Sequence, residues 1–154
     1  MTAAFFAWSD AFAVGHQELD ADHRRLVASI ADIAAAVHER RPPEELQPLL
    51  KGLKLLAEVH FQRENAVLLE IAGGAVESEE GRVQTQAYLE AVGAAALDAH
   101  AEQHAMALEQ LAAMIAALDS GATEPAKLCL DLKDWFLEHA TVYDAHLKSI
   151  FQLA

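Results

Sequence analysis

His100-Ala101-Glu102-Gln103-His104 carries two imidazoles four residues apart. On a helix they lie about 40° apart around the axis and one turn apart along it, so both can reach one metal ion beside that helix. Such a pair in an alanine-rich stretch also arises by chance, and its meaning depends on the other histidines and carboxylates. His60 and Glu64 repeat the same spacing, His23 precedes an apolar stripe, and His139 is followed by Asp144. Five imidazoles and two carboxylates are thus candidates for one interior. Without compensation each would cost several kcal/mol to bury, against about 5–15 kcal/mol of net stability for a domain. A cation inside with them resolves that cost. Mixed imidazole and carboxylate ligands suit Fe, Mn or Zn, and the lack of thiolates argues against a cysteine-type structural zinc. Seven ligands are too many for one tetrahedral ion and enough for a pair, with a position left open for a small molecule.

These residues need helices to hold them. The first predicted helix runs from about Leu19 to Glu39, with Asp20 in its first turn, where a carboxylate complements the helix dipole. Its stripe of Leu26, Ile30, Ile33 and Val37 extends back to His23. Arg40-Arg41 closes it and Pro42-Pro43 stops it. The second starts at Glu44 or Leu46 and ends at Ala72 before Gly73-Gly74, with Pro48 tolerable near its start. Its inner face is Leu49, Leu53, Leu56, His60, Glu64, Val67 or Leu68, and Ile71. The third spans about Ala94 to Leu118, with His100, His104, Leu111 and Ile115 inward. The fourth opens at Thr123-Glu124-Pro125 and turns Leu128, Leu132, Trp135, Phe136, His139 and Val142 or Tyr143 inward. Residues 1–17, with Phe5, Phe6, Trp8 and Phe12, read as an N-terminal arm docking its aromatics on the body. Residues 75–93 read as an insertion forming an extra short helix. The expectation is a single all-α domain over 1–154, an antiparallel up-down-up-down four-helix bundle.

Composition agrees. At 154 residues, 53% hydrophobic with few Gly and Pro, the chain can bury a core and favours helix. A net charge of −13 excludes nucleic acid and an anionic membrane surface as natural partners. One cysteine, Cys129, excludes an internal disulfide and reads as a small buried residue. No apolar run is long enough to cross a bilayer, and the N-terminus lacks the basic region of a signal peptide, so a cytoplasmic protein is expected.

His23 within Asp20-Ala21-Asp22-His23, His60-Phe61-Gln62-Arg63-Glu64, His100-Ala101-Glu102-Gln103-His104 and His139-Ala140-Thr141-Val142-Tyr143-Asp144 together resemble the hemerythrin family in its bacterial branch. Trp8-Ser9-Asp10 and Val14-Gly15 resemble that family's start. The resemblance covers nearly the whole chain. It implies two Fe ions joined by an oxo or hydroxo group, and reversible O2 binding without turnover. It further implies His100, His104 and His139 on one iron, His23 and His60 on the other, and Glu64 and Asp144 bridging both. Trp135, Phe136 and Tyr143 would wall or border the O2 pocket. A monomer or weak homo-oligomer is expected. The alternative on the same scaffold is a di-iron redox enzyme or sensor acting on peroxide or nitric oxide.

Some features fit this picture less simply. His139 and Asp144 are five apart, about 140° on an ideal helix, which is awkward for ligands on one face. Asn65 stands where the family commonly has a glutamate, a position expected beside the ligands or on the surface. Phe136 stands where leucine is common. The Glu64-to-His100 connection exceeds the family's usual length and that of ordinary bundle loops. His16 reads as exposed or as a donor beside the ligands, His38 as a helix-end dipole partner, and His146 as a group at the core's edge.

Overall fold

The computed structural model describes residues 6–72, 95–143 and 147 of the chain, and within helical ends the side chains of 69–72, 95–98, 142 and 143 are not described. The described residues form α1 (Gln17–His38), α2 (Pro43–Ala72), α3 (Ala95–Asp119) and α4 (Pro125–Glu138), with no strand among them. A 3-10 turn, Asp10–Phe12, precedes α1, and a π-helical turn, His139–Tyr143, continues α4. The insertion at 75–93 lies outside the described residues.

Helix α1 starts two residues earlier than its apolar stripe indicates, because His16 is its N-cap and its Nδ1 accepts the Leu19 N–H at 3.3 Å. Asp20 does more than face the helix dipole: its carboxylate accepts the N–H groups of Val14 at 2.7 Å and Gly15 at 3.2 Å. Those bonds fix how the N-terminal arm enters the body. At its other end α1 closes with Arg41 N–H on Ala36 O and Arg40 N–H on Val37 O, Arg40 taking φ 57°. The same closure ends α3, where Gly121 at φ 76° occupies the left-handed position without strain. Pro43 begins α2, and Pro48 sits inside it within the first two turns, where few intrahelical donors are lost.

α1 packs on α2 and α4, and α3 also packs on α2 and α4, which makes a helical bundle. Two apolar clusters fill it. The larger holds Leu26, Ile30, Ile33, Leu50, Leu53, Ala57, Leu111, Leu128, Leu132 and Phe136. The smaller holds Val14, Leu19, Leu68 and Leu147. On α1, His23 falls between Leu19 of one cluster and Leu26 of the other, and on α2, Glu64 falls between Phe61 and Leu68. The buried polar residues therefore form a layer between two apolar ones. The arm docks as well: Phe6 and Phe12 are buried, both edge-on to Phe136, and the Arg24 guanidinium lies 4.6 Å over Trp8. No described helix is long and apolar enough to cross a membrane.

Candidate metal centre

His23, His60, Glu64, His100, His104 and His139 are all buried. Helical spacing brings them inward: His23 follows Leu19 and precedes Leu26 on one stripe of α1, and His60 and Glu64 continue the Leu50–Leu53–Ala57 stripe of α2. The ligand-capable atoms of His23, His60, Glu64 and His139 lie within 4.8 Å of one another, as do those of Glu64, His100 and His104. Glu64 belongs to both groups, one oxygen to each. Its Oε1 lies 2.5 Å from His100 Nε2 and 3.1 Å from His104 Nε2. Its Oε2 faces His60 Nε2 at 3.0 Å and His139 Nε2 at 3.7 Å.

Proton accounting shows what this arrangement needs. His23 Nδ1 lies 2.7 Å from the carbonyl oxygen of Phe12, which can only accept, so Nδ1 carries the proton. His60 Nδ1 faces the Asp22 carboxylate at 3.3 Å, with the same consequence. In the neutral rings both Nε2 atoms are then lone pairs, yet they face each other at 3.1 Å. His60 Nε2 is also 3.1 Å from His139 Nε2. His104 donates from Nδ1 to Asn65 Oδ1 at 2.9 Å and turns its Nε2 lone pair onto Glu64 Oε1. Lone pairs converging on one another and on a carboxylate repel unless positive charge lies among them. Protonating the rings instead would bury several imidazolium charges against Glu64 and against Asp22, whose carboxylate Arg63 and Arg25 already neutralise. Glu64 Oε2 is moreover buried without a hydrogen-bond partner of good geometry. Rings anchored at Nδ1 and converging at Nε2 are the arrangement of metal-bound histidines, and this donor set fits cations.

The electrostatics agree. Burial pushes the Glu64 carboxyl up, but the imidazoles of His100, His104, His60 and His139 outweigh it and hold the group well below the usual carboxylate range. Burial pushes His104 down, and contact with Glu64 only partly offsets this, so the ring favours its neutral, ligating form. Burial raises Asp22, but His60, Arg63 and Arg25 together bring it below its ordinary value.

A comparison with family models matches residues 14–150 to the hemerythrin HHE cation binding domain. The chain belongs to the hemerythrin family. No curated protein and no solved structure compared with it gave a match. As a member of that family it is a metal-binding helical domain, and its ligand-capable clusters fall within the matched span.

Within this hemerythrin domain six of the seven expected ligand residues lie together. Asp144 and His146 lie outside the described residues, as does the side chain of Tyr143. Among the described residues His139 Nε2 groups with His23, His60 and Glu64, while its ring lies equally far, 5.6 Å between centroids, from His23 and from His104. The spacing that makes His139 and Asp144 awkward on an ideal helix meets a local change of helix type. The backbone from His139 to Tyr143 is π-helical, and i→i+5 hydrogen bonding brings residues five apart around toward one side of the axis.

Phe136 is fully buried and meets the His23 ring edge-on at 5.6 Å, so it walls that part of the site. Trp135 is core: its Nε1 donates to Ala107 O at 2.9 Å, and its ring meets Phe61 at 6.2 Å. Phe61 escaped the sequence reading, although it stacks on His104 at 4.4 Å and 11° and lies 4.9 Å from His139. Asp22 and the Phe12 carbonyl escaped it too. Asp22 stands directly before a ligand candidate, about 100° off its face, and the residue it serves is on another helix.

Proposed function

We propose that this domain binds O2 reversibly at a di-iron centre and performs no turnover. The observation that carries the reading is Glu64, buried, with one oxygen on each of two histidine groups whose lone pairs converge. A carboxylate so placed suits two ions at bridging distance. His100, His104 and His139 would hold one, His23 and His60 the other, and Asp144 would add a second bridge. Two irons, when bound, supply electrons to O2 and recover them on release. The chain's own residues shape the rest. Phe136 and Phe12 close the His23 side with apolar rings and exclude water, which disfavours loss of the ligand in oxidised form. Phe12 O, Asp22 and Asn65 hold the rings of His23, His60 and His104 in the tautomer that ligates. The up-down-up-down arrangement and a short helix within 75–93 belong to the same reading.

The test is metal content together with the visible spectrum of reduced protein before and after O2 is admitted. About two irons per chain and an absorption band that appears with O2 and leaves on degassing are expected. Two irons with immediate irreversible oxidation would replace the carrier reading with a redox enzyme or sensor, and a lone zinc would end it.

A further inference from the structure

The phenyl ring of Phe61 packs against an imidazole from each of three helical segments. It stacks on His104 of α3 with centroids 4.4 Å apart and planes 11° from parallel. It meets His139, which opens the π turn after α4, at 4.9 Å and 67°. Its own neighbour on α2, His60, lies at 5.6 Å and 49°. Phe61 is buried, with Trp135 edge-on behind it at 6.2 Å. Glu64, whose carboxylate both histidine groups share, comes close to one turn later on α2. The bond from Nδ1 to Asn65 holds His104 at one atom and leaves the ring free to hinge about it. A flat face against the ring removes that hinge. A bound cation also draws charge out of an imidazole, so a stacked phenyl face holds the metal-bound ring more strongly than the free one. Phe61 therefore bears on metal affinity and not only on packing.

We infer that Phe61 is a positioning residue of the centre: it fixes the ring planes of His104 and His139 and so sets how tightly the ion they share is held. This rests on the reading above that these two histidines serve one ion. Their rings, 5.6 Å apart and inclined by 57°, come from different helical segments, and helical spacing alone does nothing to align them. Phe61 lies against both, so it ties the α3 contribution to that of the α4 end through α2. Leucine in its place would fill part of the space and present no flat face. Methionine, unbranched and adaptable, would fill more and still present none. Stacking can thus be removed while much of the packing is kept.

The experiment is an anaerobic titration of the metal-free full chain with Co²⁺, followed by calorimetry and by the visible bands of the bound ion, for the unsubstituted chain, Phe61→Leu and Phe61→Met. Circular dichroism and thermal unfolding of each metal-free form show that it is folded. The unsubstituted chain is expected to take two ions. Phe61→Met should weaken one of them by about three- to tenfold, the range of an aromatic pair, and leave the other within about twofold. Phe61→Leu should do the same and lose thermal stability that methionine largely recovers. In zinc-loaded, isotope-labelled protein, the ring resonances of His104 and His139 should shift and broaden in Phe61→Met while those of His23 stay in place. Three results overturn the inference and leave the two-ion centre standing: methionine restoring affinity along with stability, both ions weakened equally, or His104 and His139 resonances that do not move. Fewer than two ions on the unsubstituted chain overturn the two-ion reading, and the shared ion with it.

Discussion

His60 has a carboxylate tied to two arginines behind its ring, where His104 has one neutral amide and a stacked phenyl ring. The contrast extends to the surrounding chain. The His23–His60–His139 half draws on α1, α2, the end of α4 and the arm, whose Phe12 supplies a carbonyl to His23. The His100–His104 half hangs its imidazoles on α3 alone, one turn apart. The first half therefore exists only when distant segments have packed, and its support is charged. The second is a local product of helical spacing, and its support is aromatic and neutral. A metal site can thus be assembled by tertiary structure on one side and by secondary structure on the other, joined by one carboxylate.

Removing the join has the largest expected effect. Glu64→Gln leaves five imidazoles without the buried carboxylate that both histidine groups share, and binding of both ions should fail together, with bound metal falling well below one ion per chain. Elemental analysis after dialysis measures it. Loss of a single ion, with the other retained at unchanged affinity, would show that the halves are independent and that Glu64 serves only one.

Acid should act on His104. His104 is held below its ordinary value of 6.5 by burial, with Glu64 offsetting only part of this. The unfolded chain then takes up a proton near 6.5, and the folded chain only at lower pH. Stability is full above 6.5 and falls as the pH drops through that value, by at most about 1.4 kcal/mol per pH unit for the one proton. Urea unfolding of the metal-free protein between pH 8 and 5 should show this loss, and His104→Gln should flatten it. An unchanged slope in that variant would move the titration elsewhere.

The walls of the two halves differ in a way kinetics can read. Phe136→Leu opens the His23 side, where Phe136 meets the imidazole at 5.6 Å. It should speed O2 release and autoxidation several-fold at a cost of roughly 1–1.5 kcal/mol in stability. Trp135→Phe, behind Phe61 on the other side, loses the bond to Ala107 O and about 1 kcal/mol, with O2 kinetics unchanged. Stopped-flow release rates and thermal unfolding of both variants test the pair. Equal kinetic effects would mean that Phe136 is only core.

The same division decided what the sequence could reveal. His100 and His104, the inward stripes of α1 and α2, both ends of α1, α2 and α3 and the start of α4 within a few residues follow from periodicity and from Pro and Gly placement, which are local signals. Asp22, Phe12 and Phe61 carry no local signal, because each acts on a ring that another element supplies or presents. Asp22 sits beside His23 in sequence but serves His60, 38 residues away. The α4 end was legible only as an inconsistency: a five-residue spacing unsuited to an α-helix marks where the backbone turns π-helical.

Arg63 offers the finest probe of the charged half. Its guanidinium joins Asp22 at 2.9 Å and Glu18 at 3.3 Å, and its side chain is about a third exposed. Arg63→Gln removes one of two cations from Asp22 and leaves Arg25 in place. The freed carboxylate keeps its contact with His60 but loses part of what fixes its direction, so affinity for the ion that His60 would hold should fall only about two- to fivefold, within the range of exposed ion pairs. Screening should act the same way: raising salt weakens binding at His60 slightly in the unsubstituted chain and less in Arg63→Gln, because less remains to screen. Binding at His104, backed by the Asn65 amide, should ignore both changes. A larger fall than Asp22→Asn itself produces would mean that Arg63 acts on the fold of α1 against α2 and not through the carboxylate.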